Sequence, residues 1–211
     1  MYKIYINEKA LILCSTEELK EISKTNARIV SKYFGKKKYL LNYIDMLEKG
    51  SNFSSVIIHS NDFEQLKKDF KSLYIRSRAG GGVIVNEKDE ILFIHRRGFW
   101  DLPKGKIEKE ETIKECAIRE VKEETGIKKV KVISRLTVTR HQYKQKGVRF
   151  LKFVRWYIME SKSQELIPQV EEDIERASWM TLEKFYSKPR KVYKNIIDVL
   201  DAYEKALTTT L

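Results

Sequence analysis

The chain has 211 residues, 42% of them hydrophobic and 11% aromatic, enough for one full domain plus a smaller one with a sizeable core. No run of about 18 apolar residues exists and the opening MYKIYINEKA lacks the basic-then-apolar pattern of a signal peptide, so a soluble cytoplasmic protein with no membrane partner is expected. The net charge of +12 admits nucleic-acid and polyphosphate partners, while Cys14 and Cys116, far apart and without metal-ligand spacing, read as reduced and structural.

In chain order, Tyr2 to Ile6 and Ala10 to Cys14 read as short strands joined by the turn-like Asn7-Glu8-Lys9, a hairpin. Ser15 or Thr16 caps a helical stretch to about Lys24, a second helix covers Tyr39 to Glu48, and Gly50-Ser51-Asn52 stops it. Ser54 to His59 is a buried strand, with His59 structural rather than a ligand. Asn61 opens a helix whose Phe63, Leu66, Phe70 and Leu73 share one face. Residues 1–78 thus form a small α+β domain without a chemical motif.

The composition turns at Ala79-Gly80-Gly81-Gly82, where glycines suit close backbone approach or a hinge. The G-x4-GK[ST] phosphate loop is absent. Val83 to Asn86 and Ile91 to Arg96 are strands joined by Glu87-Lys88-Asp89-Glu90. In Phe99-Trp100-Asp101-Leu102-Pro103-Lys104-Gly105, Pro103 cannot donate to a ladder and Gly105 permits a tight turn. Lys104 is either a lysine that reaches a phosphate or simply an exposed one, and Trp100 is either core or a stacking platform.

Gly105 to Ile127, GKIEKEETIKECAIREVKEETGI, should fold as a loop and one helix. Thr112 and Glu115 form a capping box, Gly126 supplies the left-handed stop, and Ile113, Ala117 and Val121 make an apolar stripe. Glu120, Glu123 and Glu124 crowd the last two turns, where the helix dipole disfavours anions and Glu120 repels Glu124. Arg119 is one guanidinium against three acids. A hard divalent cation, which takes oxygen ligands and shares them with substrate phosphates, would offset the rest.

From Thr125 to Met159 there is no acid and ten Lys or Arg residues, a field for a polyphosphate or simply a solvated face. By position, residues 1–78 carry 15 Lys/Arg against 9 Asp/Glu and the remainder 27 against 21, so each part has +6. Val130 to Arg140 and Val148 to Met159 read as antiparallel strands around the loop His141 to Gly147, where His141 and Tyr143 either stand where a base can stack or are ordinary turn residues. Ile167 to Glu172 is a Pro-containing loop, and Ala177 to Met180 a short strand with Trp179 buried. Leu182 to Tyr186 and Pro189 to Leu207 are helices, the last with Val192, Ile196, Val199, Leu200 and Tyr203 facing the core.

Written as G-x5-E-x7-R-E-U-x-E-E-x-G-U, with U aliphatic, the pattern is met at Gly105, Glu111, Arg119, Glu120, Val121, Glu123, Glu124, Gly126 and Ile127. Average residue usage puts a chance match at roughly one in a million. The segment resembles a complete Nudix box. The preceding WDLPKG resembles the subset that acts on dinucleoside polyphosphates, diphosphoinositol polyphosphates or capped RNA. The resemblance spans about Arg78 to Leu207 and implies an α/β fold, the Nudix α/β/α sandwich with a mixed sheet over residues 79–211.

The resemblance further implies metal ligands at Glu120, Glu123 and Glu124 for magnesium, with manganese the alternative. It implies an orienting role for Arg119, structural pairing for Glu111, and a further Glu before the last strand as base or extra ligand. Glu171, Glu172 and Asp173 stand there, and Glu172 is the choice. Lys104, Trp100, Arg140 and Tyr143 are the substrate-binding candidates. The implied reaction is metal-dependent hydrolysis of a nucleoside diphosphate linked to another moiety, a small-molecule polyphosphate, with Glu123 or Glu172 as base. Two alternatives stay open: an RNA-directed hydrolase or binder acting at a cap or 5′ end, and a non-catalytic Nudix-fold regulatory module, whose box is commonly degraded. The N-terminal domain is read as a homodimer contact or a cover over the site, and nothing in its residues chooses.

Overall fold

The computed structural model describes residues 1–22, 29–50 and 53–209. It divides into two compact units, Met1–Ser77 with Arg140–Lys152, and Arg78–Thr139 with Phe153–Leu211.

The first unit contains β1 (Tyr2–Ile6), β2 (Lys9–Ser15), α1 (Leu19–Ile22), β3 (Ile29–Lys32), α2 (Lys37–Glu48), β4 (Ser55–Ser60) and α3 (Phe63–Lys71). β1 and β2 form the expected hairpin, and Asn7 and Glu8 both have positive φ, as a tight turn matched to strand twist requires. β4 runs parallel to both β2 and β3. β3 is not foreseen by the sequence pattern: its four residues alternate half-buried and exposed, too short a run to register. The first helix is described over Leu19–Ile22, and its projected end at Lys24, like the stop at Ser51 and Asn52, lies outside the described residues. Leu40, Ile44, Leu47, Leu66 and Phe70, on α2 and α3, are fully buried.

The second unit is built on β5 (Ile75–Val85), β6 (Ile91–Arg96), β7 (Phe99–Asp101), β8 (Lys104–Lys106), β9 (Lys131–Gln145), β10 (Val148–Glu160) and β11 (Ile174–Met180), with α4 (Ile113–Thr125), α5 (Leu182–Tyr186) and α6 (Lys194–Thr209). β5, β9 and β10 contribute residues to both units. The strand order is β11-β6-β5-β10-β9, with β7 on β6 and β8 on β5. Neighbouring residues in these strands enter opposite cores: Val83, Phe93 and Trp156 pack with α5 and α6, while Ile84, Leu92 and Tyr157 pack with α4. A sheet covered on both faces accounts for apolar runs such as ILFI, and the unit is the α/β/α sandwich expected.

Several boundaries differ from the expectation, β11 for one beginning at Ile174 rather than Ala177. The glycines 80–82 lie inside β5, so the hinge reading gives way to close approach: a Cβ on Gly80 would stand 2.4 Å from the Ile113 carbonyl oxygen. The hairpin loop contracts from 141–147 to Lys146-Gly147, because β9 continues to Gln145 and both loop residues take positive φ. α6 begins at Lys194 rather than Pro189, the intervening chain being used for a bridge between Val192 and Trp100. Among the described residues no helix is long and apolar enough to cross a membrane.

Candidate active site

The loop and helix of Gly105 to Ile127 form as their residues dictate. Thr112 Oγ1 accepts from the Glu115 amide and Glu115 returns a bond to the Thr112 amide, while Gly126 closes α4 at φ 75°. β8 pairs with β5, placing Gly105 opposite Gly80. A Cβ on Gly105 would lie 1.9 Å from the Glu120 carboxylate carbon, so the glycine is what gives that carboxylate its room.

Arg119 is the hub of the acidic cluster. Its Nε and Nη2 donate to Glu111 at 2.9 and 3.1 Å, its Nη1 donates to Glu120 at 2.9 Å and Glu123 at 2.8 Å, and Nη2 also meets the Lys106 carbonyl at 3.0 Å. The Glu111 hydrogen bond leads in raising the Arg119 pKa and in holding the Glu111 carboxyl below its usual range. Burial pushes Glu120 up despite its bond to Arg119. Burial also pushes the Cys116 thiol, free and buried, to about 11.

Glu124 receives nothing from Arg119. It is fully buried; Oε2 accepts from the Lys104 amide at 2.9 Å, and Oε1 has no hydrogen-bond partner. The nearest cation to Oε1 is Arg96 Nη1 at 3.7 Å, beyond hydrogen-bonding reach, and the same atom lies 3.8 Å from Glu172. Burial drives the Glu124 carboxyl to about 8. A fully buried carboxylate oxygen without a donor is costly.

Lys104 does not reach outward. It is 9% exposed, its ammonium donates to Asp101 and to the Leu102 carbonyl at 3.3 Å, and Asp101 Oδ1 accepts from the Leu102 amide. The buried pair ties the WDLPKG turn to itself, and Lys104 acts on Glu124 both through its amide, which donates to Oε2, and through the field of its ammonium, which opposes the effect of burial. Trp100 is half-buried, edge-on to Phe185 with centroids 6.4 Å apart, and 5.8 Å from the Arg190 guanidinium, a packing role. Glu172 is 45% exposed at the end of a short 3-10 turn, Val170–Glu172; next to it Arg97 holds Asp173. Arg140 and Tyr143 belong to the first unit, where the Arg140 guanidinium lies 4.2 Å from the Tyr2 ring centroid and Tyr143 stacks on Phe150.

Sequence reasoning missed Arg96 and Asp101. Arg96 reads as the end of an apolar strand, and Asp101 as a spacer within WDLPKG; only the pairing of β6 with β7 reveals them. Trp179, expected buried, is half-buried with a buried indole nitrogen that lacks a partner.

The fit to a divalent metal is testable on the donors present. Among the described residues no three His, Cys, Asp or Glu side chains are gathered as a ready-made cage, since Arg119 bridges Glu111, Glu120 and Glu123. The chemistry nonetheless suits a hard cation: all donors are carboxylate oxygens, and one of them is buried and unpartnered. Glu120, Glu123 and Glu124 are the residues that could hold it.

The family model described as NUDIX domain matches residues 76–203. Nudix hydrolase 8 of Arabidopsis thaliana is 32% identical over 135 residues, 58% of this chain and 35% of its own length. The mRNA-decapping enzyme subunit 2 of the same plant is 26% identical over 164 residues, 72% of this chain and 42% of its own. The chain thus spans well under half the length of either relative. The crystal structure of the MutT NUDIX hydrolase from Burkholderia pseudomallei superposes with a TM-score of 0.49 at 23% identity, over 61% of this chain and 98% of that one.

Proposed function

The chain belongs to the NUDIX family, and from that premise we propose that its second unit hydrolyses the phosphoanhydride bond of a nucleoside diphosphate linked to another moiety. The observation that carries this reading is Glu124, buried with one oxygen unpartnered beside the Glu120 carboxylate in a family-type loop and helix. Stability alone gives no reason to keep such a group.

In the proposed mechanism Glu120, Glu123 and Glu124 are the residues that would hold magnesium. When bound, the ion supplies Lewis acidity toward phosphate oxygens and toward water. The chain's own residues do the positioning. Gly105 leaves Glu120 its place, the Lys104 amide fixes one oxygen of Glu124, and Arg119 holds Glu120 and Glu123 in line from the side. Glu172, half-exposed and near Arg96, takes the proton of the attacking water, with Glu123 the other candidate.

The substrate favoured is a dinucleoside polyphosphate, on the WDLPKG turn alone. A second reading, the 5′ end of RNA, draws on the likeness to the decapping relative. The test is a magnesium-dependent hydrolysis panel over dinucleoside polyphosphates, nucleoside triphosphates, ADP-ribose and capped RNA, with products identified by chromatography. Glu120→Gln and Glu124→Gln should each lose orders of magnitude in kcat with the fold intact. Wild-type turnover by either would remove the assignment.

A further inference from the structure

The first unit holds most of the net positive charge. Counted by unit rather than by position, residues 1–77 and 140–152 carry 19 Lys/Arg against 9 Asp/Glu, a net +10, whereas the second unit carries 23 against 21, a net +2. The even split by position hides this because the acid-free segment 140–152 folds with the N-terminal residues.

Within this unit, Lys32-Tyr33-Phe34-Gly35-Lys36-Lys37-Lys38-Tyr39 leads from β3 into α2, and its side chains divide into anchors and outward groups. Tyr33 is the anchor. It is buried, its amide donates to the His59 carbonyl at 2.8 Å and its hydroxyl to Asp69 at 2.8 Å; Lys37 lies 3.7 Å from the other Asp69 oxygen. The flanking residues face water: Phe34 is 72% exposed and Tyr39 52%, and Lys32, Lys36 and Lys38 are exposed. The Lys32 ammonium sits 5.8 Å from the Phe34 ring centroid. Among the described residues the Lys36 and Lys38 side chains have no ion-pair partner.

Fold stability does not account for the outward groups. Lys37 and Lys38 occupy the first turn of α2, which has no acidic residue there, so the helix dipole opposes them. An open phenylalanine beside them gains no burial.

We propose that this loop binds single-stranded nucleic acid, with Phe34 and Tyr39 stacking on bases and Lys32, Lys36 and Lys38 meeting phosphates. Aromatic faces interleaved with lysines suit a strand whose bases and phosphates alternate, and stacking accepts any base. A bilayer surface would call for contiguous apolar area; here the two rings are separated by Gly35 and three lysines, and Phe34 already has an ammonium near its ring. The surface is independent of the hydrolytic reading of the second unit.

Fluorescence anisotropy on the full chain tests it, with labelled single-stranded RNA and DNA of about 12 nucleotides. Binding should weaken steeply between about 50 and 200 mM salt, and K36A/K38A should reduce the slope of log affinity against log salt by about 1.4. F34A/Y39A should weaken binding roughly 5- to 150-fold per lost stack while leaving that slope alone. Circular dichroism melts should match wild type, and Glu120→Gln should bind as wild type while losing hydrolysis, which separates the two proposals. No binding at low salt would overturn the inference. So would variants that bind like wild type, an F34A/Y39A variant that keeps full affinity while K36A/K38A loses it, or loop-dependent binding to phosphatidylserine vesicles without binding to the oligonucleotides.

Discussion

Gly105→Ala adds a single methyl group where the structure has no room for it. The new Cβ would lie 1.9 Å from the Glu120 carboxylate carbon and 2.0 Å from each oxygen, against ordinary contact from 3.4 Å, so the carboxylate must move by about 1.5 Å. Gly105 cannot retreat, being paired to Gly80. The side chain can give way, at the expense of its 2.9 Å bond to Arg119. A displacement near 1 Å at a reacting centre costs about 100-fold, so kcat/KM should fall at least about 100-fold, about 2.7 kcal/mol of transition-state stabilisation. Because the yielding atoms end a flexible chain, the fold should persist. Magnesium-dependent product release, measured by chromatography on a dinucleoside polyphosphate, reads the first quantity and a thermal melt the second. Shortening the acid relieves the same clash, so G105A/E120D should lose less than the two single losses combined. Near-wild-type turnover by folded G105A, or strict additivity in the double variant, would refute the reasoning.

Gly80→Ala meets backbone instead: its Cβ would stand 2.4 Å from the Ile113 oxygen and 2.7 Å from the Ala117 nitrogen, so α4 must lift off β5 at about 3 kcal/mol or more, read by urea unfolding. Thr112→Ala removes the side-chain half of the capping box, leaving the Glu115 amide without its acceptor, and should destabilise by about 1 kcal/mol in the same assay. Arg149→Met strips the bidentate partner from Glu48, which is 11% exposed, and should cost roughly 2 kcal/mol at neutral pH, less than a fully buried pair because Arg149 is 21% exposed. Burial would raise Glu48, but its bonds to Arg149 and Lys144 prevail and hold it at about 2. That folded value lies below the unfolded one of about 4.3, so its stabilisation is present above pH about 4.3 and fades as pH falls toward 2. In Arg149→Met the acid-unfolding midpoint, followed by circular dichroism, should therefore move to higher pH.

Elements with a strong local signal were legible. α4 announced its start through Thr112 and Glu115 and its end through Gly126, and the structure contains each bond those residues imply. β6 was legible as a strand over Ile91 to Arg96, although its burial on both faces was not foreseen. What stayed hidden depends on partners distant in the chain. β3 is a strand because β4 lies beside it, not because IVSK insists on it. Lys104 looked like a phosphate ligand because its charge is visible in the sequence, whereas the Asp101 that absorbs this charge becomes a partner only when the WDLPKG turn folds. The +10 of the first unit was invisible for the same reason: a count along the chain cannot know that 140–152 packs with residues from its beginning.

The electrostatic argument for a metal changes its footing once the side chains are placed. Three acids against one arginine suggested a cluster strained as a whole, yet Arg119 reaches Glu111, Glu120 and Glu123 with four hydrogen bonds and leaves those acids largely compensated. The strain is concentrated in Glu124, which among the described residues no cation touches within hydrogen-bonding distance and which burial holds near a pKa of about 8. A helix face selected only for solubility would keep its acids exposed, and one selected only for packing would place an apolar residue at a fully buried position. Glu124 meets neither description. Its retention makes sense if something that arrives with the substrate supplies the missing positive charge, and the partly exposed Glu123, 48% accessible, is then the carboxylate with the freedom to follow it.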